Sequence, residues 1–136
     1  MPAEPDLDAL FAGAQAAQSR AYAPYSRFKV GAAILADDGK VYPGCNVENA
    51  AYPVGACAEA GAISAMIAGG ARAIRALLVI GDGAELVTPC GACRQRIREF
   101  AAPETPIVIA GPDGIRARFS LAELLPASFG PANLPT

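Results

Sequence analysis

The residues of this chain whose types and spacing could do chemistry are its cysteines and one glutamate. Cys57 and Glu59 stand two positions apart in the stretch GACAEAGAISAM (55–66), where their neighbours are small or apolar. Cys90 and Cys93 form a Cys-x-x-Cys motif further along the chain. The chain has no histidine, so imidazole takes no part in its chemistry. Sulfur is therefore the ligand that this constellation offers to a metal ion.

The spacing of the cysteines favours a shared metal ion. Residues three apart share a face in the first turn of a helix, so Cys90 and Cys93 can reach one ion. By itself this pair also fits a redox centre, half of a structural zinc site or coincidence. Cys57 is expected at the start of another helix, and two helix N-termini at one sheet edge would gather three thiols and favour thiolates. Three sulfur ligands leave a tetrahedral zinc ion with an open position, as catalytic zinc requires.

Glu59 is placed to reach that open position without being a ligand. Water held by zinc has its pKa lowered toward neutrality, which supplies hydroxide. A carboxyl group in apolar surroundings should have a raised pKa and could carry protons. A glutamate in a first turn can also simply complement the helix dipole. The combination of Glu59 with Cys57 and the later Cys-x-x-Cys favours proton transfer.

The elements that must position these residues follow from the hydrophobic pattern. The pattern predicts helices over 6–22, 57–68, 89–100 and 120–126, and strands over 28–36, 41–47, 74–82, 105–111 and 115–120. Because helices between strands imply crossovers, we expect an α/β fold, a three-layer α/β/α sandwich with a mixed five-stranded sheet. Both cysteine segments fall where a strand leads into a helix, and such points hold the sites of α/β sheets.

Length and composition limit the class of protein. The chain has 136 residues and is expected to be one domain over 1–136, large enough for a core without disulfides. It is 53% hydrophobic and 18% charged, and much of the hydrophobic excess is alanine. This composition fits either faces hidden against other subunits or an alanine-rich core.

The charge pattern and the chain start exclude several partners. A net charge of −2 without a run of Lys or Arg makes nucleic acid an unexpected partner. No apolar run is long enough for a membrane span, and the N-terminus does not resemble a signal peptide. We therefore expect a cytoplasmic protein, in which four cysteines indicate metal binding or catalysis rather than disulfides.

A set of segments gives the chain a family resemblance. CAE at 57–59 is followed 30 residues later by PCGAC at 89–93, which matches the signature of zinc nucleoside deaminases. Further matching segments occur in the same order between residues 25 and 131: YSRFKVGAAI, CNVENAAYP, CAEAGAI, TPCGACRQ and LLPASFGP. The chain thus resembles the small homotetrameric cytidine deaminases over nearly its whole length. The resemblance implies zinc-dependent deamination of cytidine and 2′-deoxycytidine in pyrimidine salvage.

The resemblance also implies roles for the residues around the reaction. Cys57, Cys90 and Cys93 would bind one zinc ion per subunit, and Glu59 would be the proton shuttle. The backbone at Ala58 would meet the polar edge of the base.

Four further positions match residues that hold the nucleoside in this family. Asn46 and Glu48 would hydrogen-bond the ribose hydroxyls, and Phe28 would lie beside the pyrimidine. Phe129, in the C-terminal helix and tail (120–136), would close the site of a neighbouring subunit. Each also has an ordinary role open to it: a turn residue, an exposed glutamate, a core aromatic and a plug within its own subunit.

Two positions raise questions about the metal. Cys45 could complete a four-cysteine structural zinc site, but we expect a small buried hydrophobe. Many family members with three cysteine ligands carry an arginine directly after Cys-Ala-Glu, whereas this chain has Ala60. Three thiolates and Zn²⁺ sum to −1, so something else should offset the charge. The candidates are the two helix N-termini and Arg94, which could equally be an ordinary exposed helix residue.

Three alternatives to cytidine deamination remain open at this point. The departure at position 60 leaves room for a deaminase of a related aminopyrimidine nucleoside, such as a nucleoside antibiotic. A polynucleotide-editing deaminase is disfavoured by the acidic charge balance. A non-enzymatic, zinc-stabilised module would lose its fold without metal and would hydrolyse nothing.

Overall fold

A computed structural model describes residues 4–135, so residues 1–3 and 136 of the expected domain lie outside it. Within this range the chain has four α-helices and five strands in the predicted order. The strands are β1 (Val30–Ala36), β2 (Val41–Cys45), β3 (Ile74–Gly81), β4 (Pro106–Gly111) and β5 (Gly114–Ser120). The helices are α1 (Leu7–Gln18), α2 (Ala58–Ala68), α3 (Gly91–Phe100) and α4 (Leu121–Leu124). None of the helices within 4–135 has the length and apolar character needed to cross a membrane.

The strands of residues 4–135 form one mixed sheet in the order β2-β1-β3-β4-β5. β3 and β4 run parallel, and α3 is the crossover that joins them. The remaining neighbours are antiparallel. Edge strand β2 contains Pro43, which an edge position tolerates because proline has no N–H to donate.

Helices cover both faces of the sheet, which confirms the three-layer α/β/α sandwich. On one face, Leu10 of α1 packs in a buried cluster with Leu78 and Val108 of the central strands. On the other face, the larger cluster includes Met66 of α2 and Ile97 of α3. β3 is buried along nearly its whole length, as the continuous apolar pattern predicted.

Two glycines bring helices unusually close to the sheet. A Cβ on Gly31 would lie 2.0 Å from the carbonyl oxygen of Ala14 in α1. A Cβ on Gly44 would lie 2.3 Å from the backbone nitrogen of Ala62 and 2.5 Å from the carbonyl oxygen of Ala58, both in α2. Since no side chain fits at either place, these glycines set the distances between layers. The contact at Gly44 holds the first turns of α2 against β2.

One predicted helix boundary was wrong near the sheet edge. α1 ends at Gln18 instead of Tyr22. The backbone N–H of Tyr22 donates to the carbonyl of Asn46, and the Tyr22 carbonyl accepts from the N–H of Glu48. This segment therefore pairs with the chain that follows β2 and cannot continue the helix.

Two predicted strand ends were also wrong, because a side chain replaces backbone pairing there. β1 begins at Val30 instead of residue 28, and β2 ends at Cys45 instead of residue 47. The Oδ1 atom of Asn46 accepts from the N–H of Val30 at 2.9 Å, and its Nδ2 donates to the carbonyl of Phe28 at 2.9 Å. Asn46 thus closes the end of the ladder with its amide group.

The last helix is shorter than the predicted 120–126. α4 is a single turn, Leu121–Leu124, and the expected capping box is present. Ser120 Oγ accepts from the N–H of Glu123, whose carboxylate accepts from the N–H of Ser120. The box confirms the sequence signal for this helix start.

Candidate metal centre

Three cysteines converge where α2 and α3 begin. Among residues 4–135, Cys57, Cys90 and Cys93 form a group whose Sγ atoms all lie within 4.8 Å of one another. The sulfurs of Cys57 and Cys90 are 4.0 Å apart, well beyond the about 2.05 Å of a disulfide. Sulfurs bound at about 2.3 Å to a tetrahedral zinc ion would be about 3.8 Å apart. The donor set and its spacing therefore fit zinc.

Local structure explains why the thiols face one another. Cys57 is the N-cap of α2 and Cys90 the N-cap of α3, and neither thiol makes a capping hydrogen bond to its own helix. Cys93 lies in the first turn of α3 and is fully buried. A pair of 2.9 Å hydrogen bonds between Val47 and Ala56 closes the loop before α2 and fixes the approach to Cys57. Both helices thus present their N-termini to the cluster.

Glu59 occupies the buried side of this centre. Its side chain is only 4% exposed, although it carries a carboxyl group. Desolvation raises the pKa of Glu59, and this effect is opposed by its backbone hydrogen bond and by the positive charge of Arg96. A raised pKa favours the protonated form, which suits a carboxyl group that takes up and releases protons during a reaction.

Glu59 shares a cavity of about 210 Å³ with two of the thiols. The lining residues are Val30, Asn46, Cys57, Ala58, Glu59, Val79, Val87, Thr88 and Cys90. The structure thus brings Asn46 and Ala58 to the metal ligands and Glu59, where the sequence placed them. Sequence reasoning missed the apolar wall formed by Val79 of β3 and Val87 of the segment after it, because only the folded chain shows which side chains reach this cavity.

The pKa shifts of the three thiols differ, even between Cys90 and Cys93 at the start of α3. Desolvation raises the pKa of Cys57 and of Cys93. Desolvation also acts on Cys90, but the Cys93 backbone N–H and the neighbouring thiols outweigh it and lower the Cys90 pKa. A bound divalent cation would deprotonate all its thiol ligands, because its charge dominates the local field.

Arg94, one candidate for offsetting the charge, has partners other than sulfur in the structure. Its Nε donates to the carbonyl of Pro89 at 2.7 Å, and Nη1 donates to the carbonyl of Leu124 at 2.7 Å. Nη2 donates to Thr88 Oγ1 at 3.1 Å. The guanidinium therefore connects the segment before Cys90 to the end of α4, and none of these three hydrogen bonds is made to sulfur.

Arg96 makes the sulfur contact instead. Its Nη1 donates to Cys93 Sγ at 3.5 Å, and this interaction raises the pKa of the guanidinium. Sequence reasoning missed Arg96, although its spacing offered a signal. Residues three apart on a helix are neighbours, so Arg96 stands over Cys93.

Glu48 lies in a different cavity from Asn46. Its carboxylate accepts from the backbone N–H groups of Tyr25 at 3.0 Å and Ser26 at 3.1 Å, and from the Ser26 hydroxyl. The Ser26 hydroxyl is the main cause of a lowered Glu48 pKa. With Tyr25, Ser26 and Tyr52, Glu48 lines a cavity of about 330 Å³. Asn46 and Glu48 thus line separate cavities, although they are only two residues apart in the chain.

The remaining candidate residues lie outside the metal cavity. Phe28 is 40% exposed and Phe129 is 58% exposed, and neither lines it. The carbonyl of Phe129 accepts from Gln95 Nε2 at 2.8 Å, which fixes this part of the tail on α3. Cys45 is outside the three-thiol cluster and is half-buried, not fully buried as expected.

A three-thiol cluster with a buried carboxyl group beside it, next to the inner strands β1 and β3 of a mixed sheet, defines a metal-dependent hydrolytic centre. The protein-family model for the cytidine and deoxycytidylate deaminase zinc-binding region matches residues 5–109. The chain belongs to the cytidine and deoxycytidylate deaminase family, which confirms the resemblance seen in its motifs. Zinc is the metal that this family implies, and the three thiols fit it.

Similar proteins agree with this assignment. The chain is 43% identical over 129 residues to a cytidine deaminase of Sporosarcina psychrophila, covering 95% of both chains. It is 42% identical over 133 residues to a cytidine deaminase of Mycobacterium tuberculosis, covering 96% of both chains. A crystal structure of cytidine deaminase from Burkholderia pseudomallei superposes with a TM-score of 0.83 at 44% identity, covering 90% of this chain and 98% of that one.

Proposed function

We propose that the protein hydrolyses cytidine and 2′-deoxycytidine to uridine and 2′-deoxyuridine with release of ammonia. The observation that carries this proposal is the buried carboxyl group of Glu59, which shares a small cavity with Cys57 and Cys90. A structural zinc site would give that carboxyl group no task, and burying it costs free energy. Family membership supports the same reaction.

The metal ligands in this proposal are Cys57, Cys90 and Cys93. They would hold one zinc ion per chain and leave one coordination position free. When bound, zinc would act as a Lewis acid that lowers the pKa of a coordinated water. Cys45 lies outside the cluster, so the described structure offers no fourth thiolate to close that position.

Glu59 moves the protons of the reaction. It takes a proton from the attacking water and delivers it to N3 of the pyrimidine while the oxygen bonds to C4. It then transfers the second water proton to the 4-amino group, which leaves as ammonia when the C4–N bond breaks. Uridine retains the oxygen at C4 and the proton at N3. The raised pKa of Glu59 suits it to both transfers.

The walls of the cavity suit a pyrimidine and part of its sugar. Val79 and Val87 offer apolar surface, and the Ala58 backbone would meet the polar edge of the base. Asn46 would reach the ribose with the second hydrogen of its Nδ2, since the first is donated to the Phe28 carbonyl. Glu48 and Phe28 would complete the subsite by closing over a bound nucleoside.

We further propose that the chain acts as a homotetramer with shared sites. Phe129 is exposed although its backbone is fixed on α3, so its ring is available to another subunit. Three tyrosine rings are exposed as well: Tyr25 and Tyr52, which line the cavity of Glu48, and Tyr22. Burying such rings against a neighbour would remove apolar surface from water.

The proposed compartment is the cytoplasm. Cys45, Cys57, Cys90 and Cys93 are all free thiols in the structure. Thiols persist in reducing compartments, whereas oxidising ones favour disulfides. A reduced state is also what zinc ligation by three cysteines requires.

The proposal is tested by measuring ammonia release from five substrates: cytidine, 2′-deoxycytidine, cytosine, an aminonucleoside antibiotic and a cytosine-containing single-stranded DNA. We expect cytidine and 2′-deoxycytidine to react and the free base and the DNA to fail. Turnover of an aminonucleoside antibiotic without turnover of cytidine would favour the related-deaminase alternative. A zinc-bound chain that releases no ammonia from any of them would favour a structural zinc module.

A further inference from the structure

The candidate metal centre has an excess of negative charge that the chain must offset. Three thiolates and Zn²⁺ sum to −1, and an ionised Glu59 would add another negative charge. Helix N-termini contribute only partial positive charges, equivalent to about half a unit each. A full positive charge close to sulfur would therefore have a large effect on how tightly the ion is held.

Arg96 places such a charge on a ligand. Its Nη1 atom donates to Cys93 Sγ at 3.5 Å, within hydrogen-bonding distance for sulfur. Cys93 is fully buried, whereas Arg96 lies on the exposed side of α3 and reaches inward from it. The contact thus connects the surface of the helix to the buried side of the cluster.

The space around Arg96 allows this contact. Arg96 lines a hollow of about 380 Å³ between α2 and α3, together with Ala60 of α2. The methyl group of Ala60 leaves room for the guanidinium beside the cluster. Position 60 follows directly after the proposed proton carrier, so both helices border the same cationic group.

Other charged groups nearby do not take this place. Arg94 donates to Pro89, Leu124 and Thr88, and Arg98 donates to Ser128. Glu99 lines the same hollow as Arg96, but among residues 4–135 no ion pair within 4.0 Å joins the two. The positive charge of Arg96 is therefore directed at the thiolates.

We propose that Arg96 is a positioning residue for the metal centre, which orients Cys93 and offsets the negative charge of three thiolates from α3. This inference rests on the proposed function, because it requires a zinc ion bound by the three cysteines. It goes beyond that function by assigning the compensation of the thiolate charge to a residue on α3. The predicted consequence is that Arg96 governs zinc affinity.

The test is the zinc dissociation constant, measured by competition with a chromogenic chelator. Arg96→Gln should weaken zinc binding about tenfold or more, as the loss of groups that support metal ligands typically does. The matched control is Arg75→Gln, which removes the same charge at the far end of β3, and it should stay within about twofold of the wild type. Thermal unfolding of the metal-free chains checks that both variants fold.

Two rescue variants separate charge from packing. Arg96→Lys keeps the charge and should recover part of the affinity. Adding Ala60→Arg to Arg96→Gln returns a guanidinium to the same hollow from α2 and should also recover affinity. If Arg96 acted only through packing, a positive charge placed on α2 would not restore the zinc affinity.

The outcomes distinguish this inference from the proposed function. Equal zinc affinity in Arg96→Gln and Arg75→Gln, with the wild type binding zinc, would overturn the role of Arg96 alone. Failure of the Ala60→Arg addition to recover any affinity would overturn charge compensation as its cause. A wild-type chain that binds no zinc would overturn the proposed function and this inference together.

Discussion

The N-termini of α2 and α3 both supply cysteine to one centre, yet their surroundings are opposite. The first turn of α2 is buried and small, with Ala58 and Glu59 almost inaccessible to solvent. The start of α3 is exposed at Cys90, Gly91 and Ala92, although Cys93 is buried, and arginines follow along the helix at positions 94, 96 and 98. The start of α2 is thus shielded from solvent and carries a carboxyl group. The start of α3 is exposed and leads into a helix that carries arginines.

The difference indicates a division of roles between the helices. Desolvation raises the pKa of Glu59 in the buried first turn of α2, which packs closely on Gly44. Long cationic side chains need solvent for their charged ends, and the exposed face of α3 provides it. The cluster between them can therefore combine a protonatable acid with a compensated anionic metal site.

The largest effect is expected at the buried start of α2. Glu59→Gln should leave the fold and zinc content unchanged, and should lower deamination about 10²–10⁴-fold, the usual worth of general acid–base catalysis. The measurement is steady-state uridine formation beside zinc content per chain. Glu104→Gln, an exposed and distant change of the same kind, is the control. Turnover of Glu59→Gln within about tenfold of the wild type would contradict its role.

The packing of α2 against β2 can be disrupted by one substitution, and α2 itself can be stabilised by a matched one. Gly44→Ala places a Cβ 2.3 Å from the Ala62 nitrogen, so it should destabilise the protein by about 3 kcal/mol or more. Gly61→Ala faces the same contact from α2, but its nearest neighbour is 3.5 Å away. This change should stabilise the helix by about 0.5–1 kcal/mol. Chemical denaturation measures both, and equal effects would refute the proposed close packing.

In α3, Arg94 is expected to contribute more to the stability of the fold than to the affinity for zinc. Arg94→Ala removes three hydrogen-bond donors from Pro89, Leu124 and Thr88, so it should cost about 1.5–3 kcal/mol of stability. Its zinc affinity should change less than that of Arg96→Gln. Denaturant unfolding and chelator competition test the two statements. A larger loss of zinc affinity in Arg94→Ala would reverse the roles of the two arginines.

The smallest effect concerns Glu48, in the exposed segment before α2. Hydrogen bonds from Ser26 and Tyr25 lower its pKa below the ordinary 4.5 in the folded chain. Its stabilising contribution is therefore present above pH 4.5 and is lost as the pH falls through the lower folded pKa. The melting temperature of metal-free Glu48→Gln should fall less steeply below pH 4.5 than that of the metal-free wild type. Parallel pH profiles would show that the carboxylate is not bound to this turn.

Much of this architecture could be predicted from the sequence, because it depends on local pattern. The pattern of apolar residues located every strand and α-helix within residues 4–135, and the strand-to-helix positions of Cys57 and Cys90 predicted their convergence. Ser120 and Glu123 announced their capping box in the same way. Signals within one turn of chain are preserved in the fold because few tertiary contacts compete with them.

The rest depended on contacts between distant segments. Asn46 ends a strand by bonding to Val30 and Phe28, and nothing in its own neighbourhood indicates that partner. Arg94 was a candidate because it is adjacent to a ligand, and Arg96 was not considered, although helix geometry favours the residue three positions on. The separate cavities of Asn46 and Glu48 likewise became visible only in three dimensions.

The central claim is that a three-thiol zinc centre and a buried glutamate deaminate cytidine. Its most direct test is uridine formation from cytidine by one preparation in three states: as purified, after a chelator has removed zinc, and after zinc is restored. We predict turnover in the first state, its loss in the second, and its return in the third with one zinc ion bound per chain. Undiminished turnover by the zinc-free protein, or no turnover by the fully zinc-loaded protein, would contradict the claim.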